Sequence, residues 1–229
     1  MPGGLLTSAA MERICEPELM EGEEQVEAYA AADFSSSDQA AVTRILELWA
    51  EQGRSTSPER IVDLGCGPGN LTLPLAEHLP QAEVLGLDGS GAMLAEARRR
   101  CPGARPAFRK ATLPDLPADL GRFELLVSNS LLHHLHDPGV LWAALSALAA
   151  PGAVVVVKDL RRPADPEAVE ALVQRHAATA PPVLQRDYRA SLHAAFRPEE
   201  VEQQLLQAGL PLQVRALEDR YLEVWGRLS

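Results

Sequence analysis

At 229 residues, 46% hydrophobic and 23% charged, the chain is long enough for one α/β domain with a full core, or for such a domain with a small cap. Its formal charge of −11 argues against binding a phosphate backbone, so nucleic acid is an unlikely partner. No apolar run reaches the ~18 residues that a membrane span needs. The three cysteines, Cys15, Cys66 and Cys101, have no C-x-x-C spacing and follow no secretory leader, which favours a reduced, cytoplasmic setting and packing roles.

In chain order, Met1 to about Ala10 has no periodicity, and mobility is expected there. An acidic segment then leads to Tyr29-Ala30-Ala31-Ala32-Asp33-Phe34, and Ser36, Ser37 and Asp38 are N-cap candidates for a helix whose Val42, Ile45, Leu46 and Trp49 share one face. Residues 53–58 read as a linker. After it, Ile61-Val62-Asp63-Leu64 is a short β-type run that ends in Gly65-Cys66-Gly67-Pro68-Gly69, and Leu71, Leu75, Ala76 and Leu79 continue at helical spacing.

Strand, glycine loop and helix together make a place where a ligand approaches the backbone closely, because glycine alone turns that sharply without a Cβ in the way. A phosphate-gripping loop of the Walker type needs Lys-Ser or Lys-Thr after its last glycine, and here Asn70-Leu71 follow. The dinucleotide fingerprint spaces its glycines G-x-G-x-x-G, whereas Gly65, Gly67 and Gly69 run G-x-G-x-G. Asp63 beside the loop repels a pyrophosphate and attracts a ligand carrying an ammonium and a sulfonium, which describes S-adenosylmethionine.

The stretch Val62-Asp63-Leu64-Gly65-Cys66-Gly67-Pro68-Gly69 resembles motif I of the class I S-adenosylmethionine-dependent methyltransferases. The resemblance runs from about Glu59 to the C-terminus and implies an α/β, Rossmann-like, doubly wound sheet of seven mainly parallel strands with an antiparallel strand near the C-terminus. An N-terminal helical cap completes the expected fold. Residues 1–58 are then the cap and a docking helix of the same domain, 59–229 the catalytic domain, and 161–196 an insertion that forms a substrate wall.

The same resemblance distributes roles along the chain. Asp63, Gly65, Cys66, Gly67 and Gly69 are expected at the cofactor. Residues 82–87 read as a second strand ending at Asp88, placed to accept hydrogen bonds from a ribose diol, with Gly89-Ser90 opening a helix that carries Met93 toward the adenine. After a third strand at 104–109, relatives commonly place an acid for the adenine amine. Here Ala111 stands in its place, leaving backbone groups at Thr112 and Leu113, or Asp115 in a shifted register. A fourth strand over 122–128 delivers Asn129 to the methionine end of the cofactor, followed by Leu132-His133-His134-Leu135, a family-type element.

His133 and His134 are candidate proton acceptors, since an unperturbed imidazole titrates near neutral pH, or else they pack the next helix. Tyr29 is a candidate for touching cofactor or substrate, and for a catalytic part, or it pins the cap to the core beside Phe34. The pair of histidines has no third ligand at a suggestive spacing, so no metal is expected. Asp137-Pro138 opens a helix that Pro151-Gly152 ends, and a nearly continuous aliphatic strand at 153–157 brings Asp159 to the crevice as a substrate candidate. Two helices around 177–182 offer Arg186, Asp187, Tyr188, Arg189, Ser191 and His193 as specificity candidates. A last helix ends at Gly209, and a hairpin about Glu218-Asp219 closes the chain.

The expected chemistry is in-line methyl transfer from S-adenosylmethionine to a small-molecule acceptor, leaving S-adenosylhomocysteine. The open alternatives are a non-catalytic S-adenosylmethionine sensor or partner-binding protein, and a methyltransferase that acts on a protein. An NAD-dependent oxidoreductase is disfavoured by the glycine spacing and by Asp63. The acceptor, the attacking atom and the oligomeric state are not specified by the sequence.

Overall fold

The structure, a computed structural model, describes residues 11–229, so the expectation of mobility at residues 1–10 lies outside the described residues. A seven-stranded sheet in the order β3-β2-β1-β4-β5-β7-β6 forms the centre. Its strands are β1 (Arg60–Leu64), β2 (Glu83–Asp88), β3 (Ala107–Lys110), β4 (Phe123–Asn129), β5 (Ala149–Leu160), β6 (Gln213–Leu217) and β7 (Tyr221–Arg227). Pairing is parallel from β3 through β5, and β7 runs antiparallel to both β5 and β6.

Alternation along the central strands explains why helices cover both faces. In β4, Leu126 faces one apolar cluster while Leu125 and Val127 face the other, and in β5 Val155 and Val157 oppose Val154 and Val156 in the same way. The first cluster receives Leu141, Trp142, Leu145 and Leu148 of α5 (Gly139–Leu148), together with Val201 and Leu205 of α8 (Pro198–Ala208). On the opposite face lie Val42, Ile45, Leu48 and Trp49 of α2 (Ser35–Glu51) and Leu75 of α3 (Thr72–His78). Each such fully buried side chain contributes roughly 1.5–3 kcal/mol.

The remaining helices are α1 (Glu23–Ala31), α4 (Gly91–Arg100), α6 (Pro166–Ala177) and α7 (Pro182–Ala194). Helices α6 and α7 share a small cluster of their own, in which Val169, Val173 and Leu192 pack on Leu160 at the end of β5. Asp165 caps α6 by accepting from the Ala168 N–H, with Pro166 at the first turn.

Three local expectations are corrected. Helix α2 begins at Ser35 without a side-chain cap; Asp33 supplies the local order by accepting from the Ser35 N–H and hydroxyl. Helix α5 stops at Leu148, and Pro151-Gly152 belong to β5. There the register shifts between Phe123 and Leu125, and Gly152, at φ +72°, lets the strand bulge, so the strand runs from Ala149 to Leu160.

The strand order reverses between β1 and β4, so the carboxyl ends of β1, β2 and β4 open onto one crevice. Residues 11–20 form an extended strap across its rim. Arg13 fastens it, donating from Nη2 to the carbonyls of His133 and Leu135, both at 2.9 Å, with its guanidinium 3.9 Å above the Phe196 ring. The Ile14 N–H donates to the His193 carbonyl, and the Ser90 hydroxyl donates to the Met20 carbonyl at 2.8 Å.

Candidate active site

The crevice is a cavity whose floor is the loop after β1. Gly65, Gly67 and Gly69 all have positive φ, at +74°, +53° and +84°. At Gly65 a Cβ would stand 2.9 Å from Leu131, so the loop needs glycine for conformation and for space. The Gly65 and Cys66 N–H groups are tied to the Leu87 carbonyl at 2.8 and 3.0 Å, which holds the loop against β2.

Two carboxylates stand on either side of this loop. Asp63 is 1% exposed; its Oδ2 accepts from the Thr72 hydroxyl at 2.6 Å, while its buried Oδ1 has no protein partner. Burial, helped by the like charges of Asp88 and Asp38, lifts its pKa to about 7 against the Thr72 hydrogen bond. Asp88, at the end of β2, accepts from the Gly67 N–H at 2.8 Å and from the Ser90 N–H at 2.7 Å. Burial still leaves its pKa raised. A carboxylate oxygen accepts more than one hydrogen bond, so both Asp88 oxygens retain capacity for a ligand.

Of the expected cofactor residues, Asp63, Gly65, Cys66, Gly67, Asp88, Gly89, Met93, Thr112, Leu113 and Asn129 line one cavity, and Gly69 turns the loop behind it. Ser90 caps α4 by accepting from the Met93 N–H, which sets the approach of that helix. Ala111 lines the wall where an acid was sought, and its N–H is bonded to the Asp88 carbonyl at 3.0 Å. Asp115 is exposed and outside the lining, whereas Leu113 and Leu116 are within it. The wall at that end is therefore apolar, with the backbone of residues 111–113 alongside.

The other candidates separate. Tyr29 lines the cavity, 4.9 Å from the Phe34 ring between centroids, and burial raises its phenol pKa, so it keeps its proton. His134 lines the cavity as well. Burial and the neighbouring His133 pull its pKa down to about 3, so it is a neutral imidazole and a weak base at neutral pH. His133 lies behind it, 2% exposed and outside the lining. Burial lowers the pKa of His133, but Asp159 and Glu16 overcome that and raise it.

Asp159 does not reach the cavity. It is 1% exposed, accepting from the Leu132 N–H at 2.7 Å and lying 2.5 Å from His133 Nδ1. The substrate candidates on α7 do not line the cavity either. Arg186 pairs with Asp187, Arg189 pairs with Glu170, Tyr188 packs on the α6–α7 cluster, and the His193 carbonyl receives the strap. That helix is occupied by its packing on α6 and by the strap. Glu18, Leu19 and Met20 close the cavity on this side instead, and Leu19 reaches within 2.7 Å of where a Gly89 Cβ would lie. Sequence periodicity has no means of finding these residues, since an extended strap leaves no repeating pattern.

A second cavity adjoins the first and shares Leu71 and Asn129 with it. Lys158 of β5 is paired in register with Asn129 of β4 and lines this cavity along with Arg44. Its ammonium lies 4.1 Å from the Tyr221 ring, and burial lowers its pKa. Among the described residues it makes no salt bridge, in contrast to Arg44, which is held by Glu47, Glu51 and Glu223.

This loop-and-acid geometry sits on a seven-stranded doubly wound sheet, the Rossmann-like fold of solved methyltransferases. Residues 61–152 match the family described as a methyltransferase domain. Trans-aconitate 2-methyltransferase of Methylobacterium nodulans is 44% identical over 106 residues, covering 44% of this chain and 38% of the relative. The enzyme of that name from Deinococcus radiodurans is also 44% identical over 106 residues, covering 44% and 39%. The chain thus spans about two fifths of the length of these curated relatives.

Solved structures extend the likeness of fold to nearly the whole chain. The plantazolicin methyltransferase BpumL, in complex with a pentazolic desmethylPZN analogue and SAH, has a TM-score of 0.71 at 13% identity, with 89% of each chain covered. A SAM-dependent methyltransferase from Aquifex aeolicus has a TM-score of 0.65 at 16% identity, covering 90% of this chain and 98% of its own. Among the described residues no helix is long and apolar enough to cross a membrane.

Proposed function

We propose that the protein transfers a methyl group from S-adenosylmethionine to a small-molecule acceptor, and that the acceptor carries a carboxylate. The observation that carries the first part is the pair of carboxylates flanking the glycine loop, above all the buried Asp63 Oδ1 that no protein group satisfies. An unpartnered buried carboxylate oxygen is costly, and a ligand ammonium relieves that cost. Asp88 then offers acceptors to a ribose diol, while Met93, Leu113 and Leu116 offer an apolar slot for adenine. When bound, the cofactor supplies an activated methyl on a sulfonium. The protein's part is to orient donor and acceptor and to exclude water.

The acceptor reading rests on Lys158, whose place beside Asn129 suits an anion entering from the second cavity. The trans-aconitate relatives support a small carboxylate as the acceptor. Such an acceptor is already ionised and needs no base, in keeping with the weak basicity of His134 and the retained proton of Tyr29.

Thermal unfolding of wild type and Asp88→Ala with S-adenosylhomocysteine, S-adenosylmethionine and NAD tests the cofactor. At about 100-fold excess over its dissociation constant, a one-site ligand adds roughly 2.7 kcal/mol and raises the midpoint by ~5–10 °C for a chain of this size. Stabilisation by the adenosyl ligands, lost in Asp88→Ala, is the expected result. A response to NAD alone overturns the reading, and tight adenosyl binding without turnover of any carboxylate, other small molecule or protein favours a sensor.

A further inference from the structure

We propose that Glu16, His133 and His134 form a binding site for a divalent transition-metal ion, with zinc the natural occupant and Asp159 orienting His133 from behind. Each of the three residues offers one ligand atom, and the three atoms lie within 4.8 Å of one another. Glu16 Oε1 is 3.5 Å from His133 Nε2 and 3.3 Å from His134 Nδ1. Bonds of 2.0–2.2 Å to zinc place adjacent ligands of a tetrahedron about 3.3–3.5 Å apart, so both edges already have the length that an ion requires.

The proton inventory points the same way. Asp159 takes the Nδ1 side of His133 at 2.5 Å and is itself held by the Leu132 N–H, so in the neutral ring the Nδ1 proton belongs to that contact and the Nε2 lone pair faces Glu16. A carboxylate behind a histidine, with the free nitrogen turned to an open centre, is the arrangement that supports metal-bound imidazoles. Glu16 Oε1 is buried and makes no hydrogen bond, while its Oε2 accepts from Ser191 at 3.2 Å. Acceptor atoms brought together in a buried space favour a positive charge between them, which a metal ion supplies without a proton. The 3.3 Å contact of His134 Nδ1 with the Pro17 carbonyl is long, and binding needs only that the imidazole proton move to Nε2.

The site is built by the fold. Arg13 bonds the carbonyls of His133, Leu135 and Ala194, the His136 ring meets the Glu16 carbonyl at 2.9 Å, and Ser191 fixes the carboxylate. The strap is thereby anchored on both sides of Glu16. Two imidazoles and one carboxylate suit zinc or another first-row ion and leave at least one position for water or a ligand oxygen. His134 also borders the main cavity, so that a role for the ion in holding an acceptor oxygen rests on the methyl-transfer reading. Metal binding itself does not.

The experiment uses the full chain, freed of metal with a chelator and titrated with zinc against a chromogenic competitor, with bound metal counted by elemental analysis. One ion per chain is expected. Cobalt substituted for zinc should give visible bands of a four- or five-coordinate site without sulfur charge transfer. Glu16→Gln and His133→Asn should abolish stoichiometric binding, and Asp159→Asn should weaken it 10–100-fold. Cys15→Ser and Cys101→Ser should leave it unchanged. Circular dichroism and S-adenosylhomocysteine binding report the fold and the cofactor site independently of the metal. Absence of a stoichiometric ion in the wild type overturns the proposal and assigns a proton to the place between His133 and Glu16. So does an ion whose affinity is the same in folded Glu16→Gln.

Discussion

Replacing Asp63 by Asn isolates the electrostatics of the proposed cofactor site. In the wild type Asp63 is buried, with one oxygen on Thr72, the other free, and a pKa of about 7. Its folded pKa is thus raised above the unfolded value, so its contribution to stability is greatest below the unfolded pKa and is lost as pH rises from ~4 through ~7. Three units correspond to an upper bound of about 4 kcal/mol. Ligand binding has the opposite sign, because an ammonium prefers the ionised carboxylate. At pH 6 about a tenth of the carboxylate is ionised and at pH 7.5 about three quarters, so affinity for S-adenosylhomocysteine should rise roughly eightfold over that interval. It should level off above pH ~8, once the carboxylate is fully ionised.

Calorimetry across this pH range, in two buffers of different ionisation enthalpy, reads the affinity and the protons released together. In Asp63→Asn the rise should vanish and binding at pH 7.5 should weaken about 10–100-fold, the ~1.5–3 kcal/mol of a hydrogen bond to a charged group. Ligand-free Asp63→Asn should be the more stable protein at pH 8. 5′-Methylthioadenosine, which lacks the ammonium, should bind both proteins without the eightfold rise. An affinity for S-adenosylhomocysteine that is flat with pH in the wild type, or equally steep in Asp63→Asn, refutes the assignment of the ammonium to Asp63.

Three further substitutions examine the loop, the core and the acceptor wall. Gly65→Ala puts a Cβ at φ +74° and 2.9 Å from Leu131, and should cost about 1–2 kcal/mol, seen as a midpoint lower by roughly 2–8 °C together with weaker adenosyl binding. An unchanged melt would show that the loop relaxes freely. Trp142→Ala empties a site that is 1% exposed and removes the 3.0 Å hydrogen bond to Gln204 of α8; denaturant unfolding should register a loss of ~3–5 kcal/mol, and a loss below ~1 kcal/mol would contradict the packing. Lys158→Met should raise the KM for a carboxylate acceptor about tenfold or more while leaving S-adenosylhomocysteine affinity unchanged. An unaltered KM would move the acceptor's anion elsewhere.

How legible these features were depended on how local their causes are. The alternation of Val154 to Val157, the glycines after Leu64 and the acid ending β2 are each set by neighbours within a few residues, so strand, loop and carboxylate can be read from the chain. The end of α5 was misplaced because Pro151-Gly152 are as suited to a bulged strand as to a helix stop. What decides is the register of β5 on β4, a long-range pairing. Met93 could be placed because it follows the end of β2 by a fixed short step, and Asn129 because it is itself the last residue of β4.

The candidates on α7 lie outside the cavity lining for a different reason. Arg186, Tyr188, Arg189 and His193 offer polar groups, but whether a polar helix face meets a ligand or its neighbours depends on what else competes for it. Here the competitors are Asp187, Glu170, the α6–α7 cluster and, at the His193 carbonyl, the strap, whose Arg13 finds three carbonyls on two separate elements and whose Glu16 then falls opposite two histidines. No spacing rule joins Glu16 to His133. The link exists because the Arg13 guanidinium, with the contacts at Ile14, Glu16 and Met20, pins residues 11–20 across the rim, turning a pair of adjacent histidines without a partner in sequence into a three-residue cluster. Arg13→Ala, which leaves every proposed ligand in place, should therefore loosen the strap and weaken metal binding at Glu16 while the glycine loop and its two acids keep their affinity for the adenosyl ligand. Equal losses at both sites would mean that the strap and the cofactor crevice fold as one unit.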